Sequence, residues 1–397
     1  MKKRIFISTG EVSGDLQGAL LVRALYAQAE QLGAEIEVLA LGGVRMEAAG
    51  AKLLGNTTEI GSVGIIEGLP YLLPTLSVQR RAKQYLCENP PDFALMIDYS
   101  DPNISIGLHI RKYLPDVPTA YFIAPQEWVL RINEKKTQWI VQISDCIYSI
   151  FPAEATYYRS KGANATFVGH PLIDRMSNAP DRSTTRSQLG IAPDQTAIVL
   201  LPASRQQEIK YMMPVIFKAA QQIQAKIPDV RFLVPLSLEK YRSQIIQGIK
   251  DYQLQAEIVE GSPLNAIAAA DLAIAKSGTV NLEIALLNVP QVVMYRLSPF
   301  TYWVAKHILK LKLPFASPPN LVNMKAIVPE FIQDAATSEN LTQSALALLN
   351  SEHRAKTIAD YQEMREALGG EGACERVARS ILARLGFCEA PEFQTFV

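Results

Sequence analysis

Three stretches carry residues that could do chemistry, each at a point where an apolar run gives way to a polar loop. The first is Ile97-Asp98-Tyr99-Ser100-Asp101-Pro102-Asn103, which follows the run starting at Phe93. A carboxylate at the end of a buried strand is costly unless it is hydrogen-bonded or used. Asp98 could therefore serve as a general base that takes a proton from an acceptor hydroxyl. The plainer role is a helix cap, and Asp101, just ahead of Pro102, is better placed for it. The second stretch is Pro202-Ala203-Ser204-Arg205 with Glu208, at the start of a helical pattern. A helix start offers N–H donors, and Arg205 adds a permanently charged fork suited to a diphosphate. As a mere surface residue Arg205 would sit badly there, because the helix dipole disfavours a cation. The third stretch is Lys276-Ser277-Gly278-Thr279-Val280-Asn281-Leu282-Glu283. Ser277, Gly278 and Thr279 can present N–H and hydroxyl groups to phosphate, while Glu283, one turn on, can bind a ribose diol. A capping box with Thr279 as N-cap explains the Ser and Thr but not the Glu.

A fourth stretch, Ile5 to Asp15, joins a short apolar strand to a glycine-containing loop and a long helical pattern. Gly10 and Gly14 suit any strand-to-helix turn. The spacing lacks the full dinucleotide fingerprint with its downstream acid. Taken with the Arg205 and Ser277 loops, Glu11, Ser13, Gly14 and Asp15 read as a wall on the acceptor side of a cleft.

The elements that must position these loops alternate. Strands are predicted near Arg4–Ser8, Glu35–Leu41, Phe93–Asp98, Thr119–Ile123 and Cys146–Phe151. A second series covers Ala197–Leu201, Val230–Leu236, Ala256–Val259, Leu272–Ala275 and Gln291–Tyr295. Their continuous Ile, Val, Leu and Phe content is that of parallel strands buried on both faces. Polar residues from Ser177 to Thr185 read as a linker. The expected fold is α/β, with two Rossmann-like doubly wound domains facing across a cleft and C-terminal helices packing back. The expected boundaries are 1–176, 177–350 and 351–397, with helical patterns at Thr337–Leu349, Glu352–Leu368 and Glu371–Leu385. Those last helices would cover the chain's own first domain or, in a homodimer, a partner's.

Composition narrows the class. In 397 residues, Lys plus Arg and Asp plus Glu balance at 39 each, so no overall field draws nucleic acid. Cys87, Cys146, Cys374 and Cys388 form no CxxC pair, and the four histidines are far apart. A redox motif and a metal site are therefore not expected. No apolar run approaches the ~20 residues of a membrane span, and the N-terminal run is too short for a signal peptide. A cytoplasmic protein that touches a membrane surface is the resulting expectation. Leu69 to Leu86 sets apolar residues ahead of Arg80, Arg81 and Lys83, and Phe300 to Lys312 mixes aromatic residues with lysines, as an anionic membrane interface would require.

The order of the motifs resembles that of the lipid-A-disaccharide synthase family. They are Gly10-Glu11-Val12-Ser13-Gly14-Asp15, Gly42-Gly43-Val44-Arg45-Met46, Asp98 with Pro102-Asn103, Val168-Gly169-His170-Pro171, Leu201-Pro202-Ala203-Ser204-Arg205, Ser277-Gly278-Thr279 with Leu282-Glu283, Tyr295-Arg296 and Pro319-Asn320-Leu321. The likeness runs from the first strand to about Gln333. It implies an inverting, metal-independent GT-B glycosyltransferase that needs no cofactor. Such an enzyme joins a UDP-activated diacylglucosamine to an acylated sugar phosphate at the cytoplasmic face of the inner membrane. It implies Asp98 as the base, Arg205 at the leaving diphosphate, Ser277, Gly278, Thr279 and Glu283 at the nucleotide, and Asn320 as a cleft residue. The chain departs from the family pattern at Gln126-Glu127, at Ala203 where Gly is usual, at Lys276 where a small residue is usual, and at Tyr99. A paralogue with another lipid acceptor, a sugar-nucleotide epimerase and a non-catalytic carrier are the rival readings.

Overall fold

In both halves of the chain, apolar runs that no water reaches become central parallel strands. Ile5, Phe6 and Ile7 are fully buried, as are Phe93 to Ile97 and Ile198 to Leu200. A strand covered by helices on both faces has no polar alternation, which is why these runs are unbroken. The computed structural model describes residues 2–58, 65–130, 134–202, 206–236, 238–303, 306–307 and 315–391, with only the main chain described at 11, 65–72, 130 and 300.

The first unit comprises residues 1–174 and 368–397. Its strands are β1 (Lys3–Ser8), β2 (Ile36–Gly42), β3 (Lys52–Asn56), β4 (Phe93–Ile97), β5 (Thr119–Phe122), β6 (Cys146–Ser149) and β7 (Ala165–Phe167). They form one parallel sheet in the order β3-β2-β1-β4-β5-β6-β7. The second unit, residues 175–367, holds β8 (Ala197–Leu201), β9 (Arg231–Pro235), β10 (Ala256–Val259), β11 (Leu272–Lys276), β12 (Gln291–Tyr295) and β13 (Glu330–Ile332). These are parallel in the order β10-β9-β8-β11-β12-β13. In each sheet the chain reverses its direction of travel once, between β1 and β4 and between β8 and β11. Ligands of open α/β sheets bind outside the carboxyl ends of the strands at such a switch point.

Three strands were not foreseen: β3, β7 and β13. They are edge strands of three to five residues, and β13 is only half-buried throughout. An edge strand needs no continuous apolar run, so its pattern is weak. The polar stretch read as a linker also differs from expectation. Asp181 caps the helix Arg182–Gln188 by accepting from the Thr184 N–H at 2.8 Å. The buried Arg186 then donates to the carbonyls of Ala269, Ala192 and Gln195, which ties this segment into the second unit.

The C-terminal helices divide between the units. Ser338–Leu348 and Ser351–Ala367 belong to the second, and Ala373–Arg384 packs on the first, against Glu11–Gln31. The return is locked at the Val168-Gly169-His170-Pro171 motif. The His170 N–H donates to Leu368 O at 3.0 Å, Arg376 Nε to Val168 O at 2.9 Å, and the Gly372 N–H to Asp174 Oδ1 at 2.5 Å. His170 itself is buried against the Phe151 ring, and its Nδ1 accepts the Leu172 N–H at 3.1 Å.

Burial pushes His170 down to about 3, so the ring stays neutral in the fold while an unfolded chain would protonate it near 6.5. Its contribution is complete above the unfolded value and is lost as pH falls toward the folded one. Between pH 6.5 and 5 we expect the wild type to lose about 2 kcal/mol of unfolding free energy that a His170→Asn variant retains. Urea titrations of both proteins at the two pH values measure the difference.

Candidate active site

At the first switch point β1 ends at Ser8, and Gly10 leads into the helix Glu11–Gln31 with no side-chain cap. A Cβ on Gly10 would lie 2.4 Å from the Tyr99 ring, and one on Gly14 would lie 2.0 Å from Thr9 Oγ1. Both glycines are thus demanded by close approach of the chain's own side chains. Asp15 has a bracing role in the fold. Its buried carboxylate accepts the N–H groups of Gly43 at 2.8 Å, Arg45 at 3.1 Å and Met46 at 3.1 Å, fixing the Gly42-Gly43 turn and capping the next helix. Ser13 stays half-buried on the first helical turn, and the Glu11 side chain lies outside the described residues.

Asp98 is not the last residue of β4. The strand stops at Ile97, and Asp98 and Tyr99 both take left-handed backbone angles, φ 50° and 47°, as does Ile123 at the end of β5, φ 59°. Such angles cost on the order of 1–3 kcal/mol each and persist where surrounding bonds enforce them. Here the Asp98 N–H donates to Phe122 O and Ile123 O, while its carbonyl accepts Tyr121 Oη at 2.7 Å and Asn103 Nδ2 at 2.8 Å. Asn103 is fully buried, reaches Ile97 O as well, and accepts from Ser8 Oγ at 2.7 Å, so it joins the ends of β1 and β4. Burial, with the Asp98 charge adding to it, pushes the Tyr121 phenol well up and keeps it a donor. The result is a half-buried carboxylate on a rigidly held turn. Asp101 is not the cap expected from the sequence; it is exposed and pairs with Lys136 at 2.8 Å.

A second carboxyl close to Asp98 escaped the sequence reading. Glu154 is buried, with Oε1 accepting the Ala124 N–H at 3.1 Å and Oε2 accepting Ile150 at 2.9 Å. It clasps the loops that follow β5 and β6. Burial pushes it up to about 8 against the pull of these N–H groups, and the charge of Asp98 works in the same direction as burial. Its position as the third residue after Phe151, in the first turn of Pro152–Ser160, was the available signal, because Glu there reaches back to the helix start.

At the second switch point, Ala203, Ser204 and Arg205 lie outside the described residues. The loop after β11 is described. Ser277 Oγ donates to Ala316 O at 2.6 Å, and the Gly278 N–H donates to Asn281 Oδ1 at 2.7 Å. Thr279 is exposed and makes no side-chain cap, which corrects the capping-box alternative; Asn281, in the first turn, instead reaches back to the Gly278 N–H. Asn281 is in turn held by Gln291, which also meets Tyr361 Oη. Glu283 is mostly buried and paired with Arg175; burial raises its pKa and Arg175 opposes the rise. A carboxylate engaged by one guanidinium nitrogen retains acceptor capacity for a diol.

Asn320 is held by a complete set of hydrogen bonds. It is fully buried, its Nδ2 donates to Val328 O and Glu330 Oε2, and its Oδ1 accepts the N–H groups of Ile327 and Val328. Both atoms of the amide are engaged within the fold. Its effect on the site is indirect, through Glu330, which accepts the N–H groups of Ala316 and Ser317 at 2.9 Å and so places the carbonyl that receives Ser277.

Comparison with known proteins bears on the family and the fold. The family model described as Lipid-A-disaccharide synthetase matches residues 5–383. A lipid-A-disaccharide synthase from Gloeothece citriformis is 57% identical over 380 residues, 96% of this chain and 99% of the relative. One from Synechocystis sp. is 52% identical over 382 residues, 96% of this chain and 97% of the relative. Among solved structures, the S. aureus MnaA-UDP co-structure superposes with a TM-score of 0.70 at 17% identity, covering 99% of this chain and 100% of that one. The Neisseria meningitidis UDP-GlcNAc 2-epimerase bound to UDP-GlcNAc gives 0.67 at 12%, covering 96% and 100%. At such identities the likeness is one of fold, the GT-B type. Sequence identity over nearly the whole length decides the family: the chain belongs to the lipid-A-disaccharide synthases.

Proposed function

We propose that this protein is an inverting hexosyltransferase that joins UDP-2,3-diacylglucosamine to 2,3-diacylglucosamine 1-phosphate (lipid X), giving lipid A disaccharide 1-phosphate and UDP in lipid A biosynthesis. The observation that carries the reading is family membership across residues 5–383. Asp98 accepts the proton of the acceptor 6-hydroxyl as that oxygen bonds to C1 of the donor sugar. The C1–O bond to the diphosphate breaks on the opposite face, and its electron pair leaves on UDP. The Ser277-Gly278-Thr279 loop and Arg205 hold the diphosphate, and Glu283 holds the ribose. Charge on the departing UDP is stabilised by oriented N–H donors and fixed cations.

The same reading places the protein in the cytoplasm, peripheral to the inner membrane. No helix among the described residues is long and apolar enough to cross a membrane. On the helix Ile65–Glu88, Leu73 is 76% exposed and Leu76 is 53% exposed, one turn ahead of Arg80. Apolar side chains beside cations suit an anionic lipid surface from which acylated substrates are drawn. Lys83 contributes less than expected, since its Nζ donates to Ser105 Oγ at 2.7 Å.

The test is to incubate purified protein with UDP-2,3-diacylglucosamine and lipid X, with UDP-N-acetylglucosamine as control donor, and to identify products by mass. Disaccharide and UDP in equal amounts, requiring both lipids, are expected. UDP release or epimerisation without acceptor, or transfer from the unacylated donor alone, would overturn the assignment.

A further inference from the structure

The β8/β11 switch point carries a charge that the reaction scheme has not used. Lys276, the last residue of β11, donates from Nζ to Glu208 Oε1 at 3.0 Å, and the two side chains are only 14% and 5% exposed. Burying such a pair is a poor stability device. Each ion loses several kcal/mol of hydration, and apolar residues of similar volume often serve as well or better. The position of the ammonium suggests another purpose. It stands 3.4 Å from the point where a Cβ on Gly278 would lie, against the bare backbone of the Ser277-Gly278-Thr279 loop. Glu208 accepts a hydrogen bond from one of its three N–H groups, and an ammonium can turn the others toward a ligand. Ser277 directs its hydroxyl away, to Ala316 O, so Lys276 brings full positive charge to this part of the loop.

We propose that Lys276 is a diphosphate-binding residue of the donor site, with Glu208 holding its ammonium in place when the site is empty. This rests on the glycosyl-transfer reading above. On donor binding, Nζ keeps or exchanges its bond to Glu208 and pairs with a β-phosphate oxygen. When the C1–O bond breaks, the electron pair passes to that phosphate, the acceptor oxygen completes its bond to C1, and its proton goes to Asp98. UDP therefore leaves with more negative charge than it carried as a diester, and a fixed ammonium beside it favours the transition state. In a position where the family pattern has a small residue, this chain supplies a second cation in addition to Arg205.

Equilibrium titrations of the full chain with UDP and with uridine test the proposal. Lys276→Met alone removes the ammonium from the buried Glu208 carboxylate, a change that by itself disturbs packing and charge. The principal variant is therefore the pair Lys276→Met with Glu208→Leu, accompanied by Lys276→Arg. The double variant is expected to bind uridine as the wild type does and UDP about 10–100-fold more weakly, the range for loss of a charge-assisted hydrogen bond. Lys276→Arg should recover most of the UDP affinity. If the double variant binds UDP as tightly as the wild type, or loses uridine and UDP affinity equally, the proposal is overturned while the donor site stands. If the wild type binds neither ligand, the transferase reading fails first and this proposal with it.

Discussion

Asp98→Asn is expected to leave the fold and UDP affinity unchanged while lowering kcat by about 10²–10⁴, the usual range for loss of a positioned general base. The amide is isosteric, and the Asp98 main chain makes four of the bonds that hold this turn, so the left-handed geometry is expected to survive the substitution. What disappears is the only group in the turn able to take the acceptor proton. Steady-state kinetics with both lipid substrates, together with a UDP titration and a melting curve, separate the outcomes. Near-normal transfer by the variant would remove Asp98 as the base and direct attention to Glu154, the buried carboxyl nearby.

Asn320→Ala is expected to destabilise the protein by about 2–5 kcal/mol, because it leaves the buried N–H groups of Ile327 and Val328 without acceptors. Asn320→Asp should be at least as damaging. It restores the two acceptors but replaces a donor with a second carboxylate at the 3.1 Å contact to Glu330. Because Glu330 holds the Ala316-Ser317 turn that receives Ser277, UDP affinity should fall together with stability in both variants. Denaturant titration and UDP binding read the two quantities. A variant of normal stability that had lost only turnover would return Asn320 to the substrate, as the family resemblance implied.

The difference between these two residues shows what kind of information was legible. Asp98 could be found because its position follows from local pattern: an unbroken apolar run must be a buried strand, and a carboxylate just beyond it is conspicuous. Asn320, Gly14 and Asp15 were recognised as motif members, but motif membership does not distinguish a ligand contact from a brace. The partners that decide the matter can lie far along the chain. Asp15 reaches 28 residues to Gly43, and Lys276 reaches 68 residues to Glu208. Glu154 was overlooked for the same reason. Its significance lies in the Ala124 N–H 30 residues away, and a Glu in a first helical turn is otherwise unremarkable.

The amino-acid sequence by itself determined the two alternating α/β halves and the central strands of each sheet. Buried parallel strands and strand-to-helix turns impose short-range composition that can be read directly. The tertiary structure alone decided the edge strands β3, β7 and β13, whose weak patterns are set by their neighbours, and the division of the C-terminal helices between the units. It also decided the left-handed turn at Asp98 and which polar groups are consumed in holding the site. Those depend on hydrogen bonds that close only when distant segments meet, and each such bond removes a group from the inventory that a ligand could use.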